Sequence, residues 1–353
     1  MKMILREKQS TARNFGLVAI AVLITYAISA GLIRWAGGNP LAAFRLMLIS
    51  PLQSTFGIGE VILSATPILF TGIAVALAFR AGYWNIGAEG QFLMGAVFAT
   101  FIALNLGDLP GFVILPVIMV SAAIGGALWG VVPAILRVRY GIDEVVTTLL
   151  LNPCAALLVS GLLNGPWRNP ETAFPETLRF PEQTDLPIMI PGTRIHIGFG
   201  IGLIVLVICW FVVARTATGL RLRAVGSNLK AAEASGVDVK RVLFGAALSS
   251  AAIAGLAGGL EVTGVQHQLT DGISPGFGYT GVIIATLAGL TFPGVLAVAL
   301  LFADLTVGSF TASRVLQIPS SVGDVVQALL LVSVVALLVF RRYKIVLSRE
   351  AKE

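Results

Sequence analysis

Apolar runs long enough to cross a bilayer recur from one end of the chain to the other, and no other feature narrows its possible folds as much. They read as spans near 15–33, 61–79, 91–106, 112–136, 145–163, 197–214, 242–265, 279–290, 295–312 and 325–340. A hydrocarbon core about 30 Å thick takes about 20 apolar helical residues to cross. With 56% hydrophobic and 12% charged residues among 353, the chain lacks the polar surface of a soluble domain. Backbone amides in lipid must be satisfied within the segment, so the expected class is all-α, a polytopic membrane protein of about ten transmembrane helices.

Lys2, Arg6, Lys8 and Arg13 precede the first run, as in a secretory signal, but no small-residue cleavage site follows, so it is kept as a membrane helix. Placing both termini in the cytoplasm leaves only Arg34, Arg45, Arg168, Arg179, Arg194 and Arg314 outside, of 24 Lys and Arg. That positive-inside bias accounts for the net charge of +6 without a nucleic-acid partner. Cys154 and Cys209 lie within apolar runs as small hydrophobes, and His196 and His267 stand apart, so neither a disulfide framework nor a metal site is expected.

Self-comparison adds a repeat. Gly72-Ile-Ala matches Gly255-Leu-Ala, the stretch from Gly95 to Thr100 matches that from Gly281 to Thr286, and Pro110-Gly111 matches Pro293-Gly294. The stretch from Gly141 to Leu151 likewise matches that from Ser321 to Leu331. Spans two to five (about 61–163) therefore pair with spans seven to ten (about 242–340). Five crossings separate partners, an odd number, so the halves are inverted, as in many transporters. The rest of the single 1–353 domain is an outer loop at 164–196 and a cytoplasmic loop at 215–241.

Gly/Pro-interrupted segments at matching places in inverted halves point to a substrate site. Here they run from Gly82 to Gln91 and from Ser274 to Gly281. Irregular backbone at membrane depth needs protein or a wet cavity around it. Within the first, Trp84, Asn85, Glu89 and Gln91 are candidates for a translocation path. Glu89 is equally suited to cap the third helix. Trp84, Phe277 and Tyr279 could stack on a ring in transit or form interfacial belts. Asn152, inside the fifth span, is either a path residue or helix-to-helix glue. Glu261, Gln266, His267 and Gln268 sit at the outer end of the seventh span.

In the cytoplasmic loop, the stretch from Ser227 to Gly236 reads as a short helix with Asn228 as N-cap and Gly236 at the stop position. Such a helix is too short to stand alone. Its small face, Ala231, Ala232 and Ser235, suits close approach by another protein.

These stretches carry a resemblance over nearly all of the chain. The stretch from Asn85 to Gln91, the loop from Gly219 to Asn228 with Ala231 to Gly236, Gly278-Tyr-Thr-Gly281, Pro293-Gly294 and Ile318-Pro319 are similar to those of bacterial ABC importer permeases. The superfamily is that of ribose and branched-chain amino-acid permeases, and Asn-Ile-Gly-Ala-Glu-Gly-Gln resembles its nucleoside-type branch. The resemblance implies a non-catalytic permease subunit in the inner (plasma) membrane that passes a nucleoside-like solute. ATP would be bound only by a separate ATPase subunit. Asn228, Ala231, Ala232, Glu233, Ser235 and Gly236 would form the coupling helix on that ATPase. A substrate-binding lipoprotein would dock on 164–196, and a second permease would complete a heterodimer. A simple sugar such as ribose, or riboflavin, is the alternative cargo.

No Gly-x-x-x-x-Gly-Lys-Ser/Thr loop occurs, so the chain is not itself the ATPase. Gly276-Phe-Gly278-Tyr-Thr-Gly281 fits Gly-x-Gly-x-x-Gly but follows no strand. An ion-coupled secondary transporter is the rival from another class, with Asp304 as its mid-membrane carboxylate.

Overall fold

The computed structural model describes residues 2–5, 11–319, 321–329, 332–333 and 343–346. Helices dominate in chain order: α1 (Thr11–Trp35), α2 (Pro40–Leu48), α3 (Thr55–Arg80), α4 (Ala88–Leu106), α5 (Gly111–Tyr140) and α6 (Glu144–Leu163). Then come α7 (Gly198–Arg215), α8 (Ala217–Ser227), α9 (Leu229–Ala234), α10 (Val239–Glu261), α11 (Phe277–Leu287) and α12 (Phe292–Leu316). Seven of the described helices, α3 to α7, α10 with its π-helical end, and α12, are long and apolar enough to cross a membrane. Seven of the ten expected spans correspond to these helices with shifted ends, and the first and eighth fall on α1 and on the short α11. The tenth is described as helix only over 322–329 and 332–333, and its remainder to 340 lies outside the described residues.

The sequence reading did not contain α2, whose start is set by Asn39: its side chain accepts the amides of Leu41 and Ala42, with Pro40 at the first helical position. It also did not contain α8, a second helix in the basic loop, or the pairing of strands β1 (Lys2–Leu5) and β2 (Tyr343–Val346).

The chain divides into two compact units. The unit formed by 1–61 and 301–353 has a core of Ile33, Ala43, Met47, Ala312, Ile318 and Val326, with Tyr26 and Phe44 edge to face at 4.8 Å.

The unit of 62–300 is built around α4, α5 and α10, with α6 against α4. Its interior is closed by glycines. A Cβ on Gly95 (α4) would strike the backbone of Gly255 (α10), and one on Gly126 (α5) would strike Ala251 and Gly255. Three helices therefore cross backbone to backbone, the small-residue packing that gives membrane helices their dispersion contacts. On the other side, a Cβ on Gly281 (α11) would strike Thr71 (α3), and Ile284 lies against Gly72. The lipid-type face shows in α7, where Ile204, Val207, Ile208 and Phe211 point outward while Gly202, Leu206 and Cys209 face in.

Candidate functional site

Between α3 and α4 the chain leaves the helix for Ala81 to Gly87, with Gly82 at φ +76°. Amides and carbonyls there have lost their intrahelical partners and, at membrane depth, must find others. One face of α6 supplies them. Glu144 accepts the Trp84 amide at 3.1 Å, Thr148 Oγ1 accepts the Ile86 amide at 3.2 Å, and Asn152 Oδ1 accepts the Gly90 amide at 2.9 Å. Asn152 Nδ2 donates to the Ile86 carbonyl at 3.0 Å. These three residues stand four apart, so they line one stripe of the helix. Glu144 also pairs with Arg137 Nε at 3.0 Å, closing the α5–α6 corner.

Asn85 and Gln91 hold the break from the opposite side. Their amides bond each other twice, Nδ2 to Oε1 at 2.8 Å and Nε2 to Oδ1 at 3.1 Å. Asn85 Nδ2 also donates to Ser250 Oγ on α10 at 2.9 Å, and Ser250 donates to the Ala74 carbonyl at 2.6 Å. Both amide side chains are buried.

The start of α4 meets the start of α11. Glu89 Oε2 accepts the Gly278 amide at 2.7 Å, and Ser274 lines the same cavity as the carboxylate. Gly278 lies so close to Ala88 and Glu89 that a Cβ there would overlap their backbone. The expectation that Glu89 caps its own helix takes a different form: it caps α11, accepting one of that helix's orphan donors, the Gly278 amide. Thr71 Oγ1 bonds the Phe277 carbonyl at 2.9 Å, and the Phe277 ring packs on Phe92 at 5.6 Å.

A cavity of about 470 Å³ opens at this junction. Glu89, Asn152, Asp271, Ser274 and Tyr279 give it polar groups, and Leu93, Leu149, Pro153, Ala156 and Val159 give it an apolar wall. Asn152 Nδ2 donates to the Tyr279 hydroxyl at 3.1 Å, which fixes the ring at the rim. The site thus offers acceptors, a hydroxyl or two and an apolar surface, and its lining holds no cationic side chain. Among the described residues no three His, Cys, Asp or Glu converge as metal ligands.

Of the residues singled out from sequence, Glu89, Asn152 and Tyr279 line this cavity, while Asn85, Gln91 and Phe277 form the scaffold behind it. Trp84 lies elsewhere, its ring tilted against Phe79 with centroids 4.5 Å apart, beside a second depression with Arg137 and Glu144. Sequence reasoning missed Glu144, Thr148, Ser250 and Asp271, and it placed Ser274 at the head of the second interrupted segment without giving it a role. The four-residue spacing of Glu144, Thr148 and Asn152 on an apolar helix was a visible signal for the first two. Ser250 and Asp271 come from other segments and carried none.

The 164–196 segment is tied by hydrogen bonds to the stretch 267–271, just beyond the end of α10. Phe180 and Thr177 amides donate to the carbonyls of His267 and Leu269, and the Asp271 amide to that of Pro175. His267 Nδ1 meets Asp185 Oδ1 at 2.6 Å, and Gln268 bonds Glu176. Beneath, α10 ends in a π-helical turn, Val262–Gln266, with His267 left-handed at φ 57°. Buried His196 accepts the Gly198 amide on Nδ1 at 3.1 Å; burial, then the His267 charge, lowers its pKa to about 4.

In the cytoplasmic loop, Asn228 caps α9 through the Ala231 amide at 3.1 Å, and Gly236 ends it at φ +81°. Ala231, Glu233 and Ser235 are exposed, whereas Ala232 turns inward to Val225 and Leu243.

Known proteins are similar to this chain in sequence. A family model described as branched-chain amino acid transport system / permease component matches residues 57–335. A glucose ABC transporter permease of Haloferax volcanii is 32% identical, over 94% of this chain and 90% of its own. A guanosine ABC transporter permease of Bacillus subtilis is 31% identical over 89% and 91%. A nucleoside ABC transporter permease of Lactococcus lactis is 29% identical over 82% of each chain. No solved structure matches the chain significantly.

Proposed function

The chain belongs to the permease-component family of branched-chain amino acid transport systems, a multi-pass, non-catalytic membrane subunit of an ABC transporter, and we propose that it forms the path of a nucleoside-like solute. The observation that carries this reading is the meeting of two interrupted helices, α4 and α11, at Glu89 and Gly278 on the wall of a cavity. Discontinuous helices at a repeat interface are where transporters bind substrate. Glu89, Asn152 and Tyr279 face the solute, and Asn85, Gln91 and Phe277 hold the wall. Trp84 serves the same path from the far side of the break.

The inverted repeat is supported by paired contacts. Gly95 of α4 meets Gly255 of α10; its repeat partner Gly281 of α11 meets Thr71 of α3, beside Gly72, the partner of Gly255. Ten spans with both termini in the cytoplasm fit this pairing, counting α1, α11 and the helix that begins at 322 with the seven long helices.

ABC permeases work with ATPase and binding-protein partners. Residues 228–236 are the surface we assign to the ATPase, because a capped six-residue helix with exposed small side chains needs a partner to be useful. Residues 164–196 are assigned to the binding protein, and a second, different permease to the other half of the pore. The guanosine and nucleoside permeases among the relatives favour nucleoside cargo, and the apolar wall beside hydroxyl-reading groups suits a base and a ribose. The glucose permease favours a second reading, a simple sugar.

Uptake of labelled adenosine and uridine by cells with and without the gene, competed by nucleoside, free base, ribose or riboflavin, tests the cargo. Competition by nucleosides alone supports it; competition by ribose or riboflavin alone, or no effect of deletion, refutes it.

A further inference from the structure

The segment before α7 forms a small hairpin. Ile188 pairs with His196, the Met189 amide donates to the Ile195 carbonyl at 2.7 Å, and the turn is closed by Thr193 Oγ1 on the Ile190 carbonyl, with Gly192 at φ +80°. Three consecutive apolar side chains of this element stay largely open, Ile188, Met189 and Ile190 at 60%, 52% and 47% exposed, while Ile195 faces inward. Three consecutive large apolar residues on a rigid tip form a patch that a water-exposed loop does not carry without a partner.

The surroundings identify that partner. The Ile197 amide donates to the Pro187 carbonyl at 3.0 Å, so the hairpin runs straight into the first turn of α7. Met189 Sδ lies 3.7 Å from where a Cβ of Gly200 would stand, so the tip rests against α7 itself. That helix is of membrane-spanning length and turns Ile204, Val207 and Ile208 outward, away from the protein. The tip therefore continues an apolar surface that meets lipid, at the level where a spanning helix enters the interface.

We propose that the hairpin from Ile188 to Ile195 is a lipid anchor, with Ile188, Met189 and Ile190 buried in the boundary between headgroups and acyl chains. It holds the 164–196 segment, and through it the 267–271 stretch beside the cavity, at a fixed height on the bilayer. The binding protein proposed for this segment then meets a surface that the membrane has already positioned.

The test uses full-length protein in nanodiscs, with Cys154→Ser and Cys209→Ser removing native thiols. A polarity-sensitive fluorophore is placed at Ile190→Cys or, as a control, at Glu182→Cys. We expect the label at 190 to emit in the blue and lose roughly half its intensity to nitroxide-bearing acyl chains, with protection from aqueous iodide. The label at 182 should behave oppositely. Emission and iodide quenching at 190 equal to those at 182 would overturn the proposal. So would a label at 190 that turns apolar only when a binding protein is added, which would make the patch a protein-docking site. Because no transport is measured, either result is independent of the cargo.

Discussion

Glu89 accepts the amide of Gly278 across 189 positions of sequence at 2.7 Å, and this bond joins the first turns of two helices that both start at a break. Replacing Glu89 with Ala leaves the buried Gly278 amide unsatisfied, at about 1–3 kcal/mol. Gln restores one acceptor. We expect Glu89→Ala to assemble in the membrane with a lowered Tm and uptake reduced about tenfold, and Glu89→Gln to recover most of the Tm but not all of the uptake. Equal uptake by Ala and wild type would remove Glu89 from the path.

Gly278→Ala tests the closeness of the same junction. Its Cβ would overlap the backbone of Ala88 and Glu89, which cannot move as a flexible side chain can. Separating the two helix ends should lower the Tm by several degrees, for roughly 1–3 kcal/mol of overpacking, and abolish uptake. A Tm and uptake like wild type would show that the helices do not meet as described.

The ladder on α6 should behave as a stability element. Glu144 is 2% exposed and holds both the part-exposed Arg137 and the Trp84 amide, so Glu144→Ala removes two charge-assisted partners at once, for roughly 2–4 kcal/mol. Thr148→Val costs less, about 1–3 kcal/mol, through the Ile86 amide alone. Thermal unfolding in detergent should rank wild type above Thr148→Val above Glu144→Ala. The reverse order would contradict the ladder.

At α9, Gly236 is left-handed and nothing lies within 4 Å of where a Cβ would be. Gly236→Asp costs about 1 kcal/mol of backbone strain and leaves the membrane fold standing. We expect protein in the membrane, with transport and the stimulation of its ATPase both lost. Transport at the wild-type rate would sink the coupling assignment.

His196 gives a pH dependence with a definite sign. Its folded pKa, lowered by burial to about 4, lies below the ordinary 6.5. Above 6.5 both folded and unfolded forms are neutral and the ring contributes nothing; below it the unfolded chain binds the proton first. Stability of the segment around it should therefore fall between pH 6.5 and about 4, by roughly 3 kcal/mol. His196→Asn should flatten the fall of Tm over that window, and an unchanged slope would refute the assignment.

How much of this was legible in the sequence depends on the physics of each feature. Hydropathy marks spans because lipid demands it, so α3 to α7 were readable to within a few residues. Asn228 and Gly236 were readable because capping is local chemistry. Glu89 stands out in the sequence as a path residue or a cap of its own helix, and its bond to α11 is hidden there because the donor, Gly278, is close only in the folded chain. The bonds of Phe180 and Thr177 to the backbone at 267–269 are equally non-local, so the 164–196 segment read as a loop rather than as a built cover. Trp84 was grouped with Glu89 by proximity in sequence, yet the turn at Gly82 sends it to the other side of the break.

Ala156 lines the cavity without bonding to anything through its side chain, which makes it the most direct probe of the claim that solute passes there. With Cys154→Ser and Cys209→Ser as background, Ala156→Cys should transport, react with a small water-soluble thiol reagent, and then lose uptake; excess nucleoside should slow the reaction. A thiol that reacts fully while uptake continues unchanged would contradict the account.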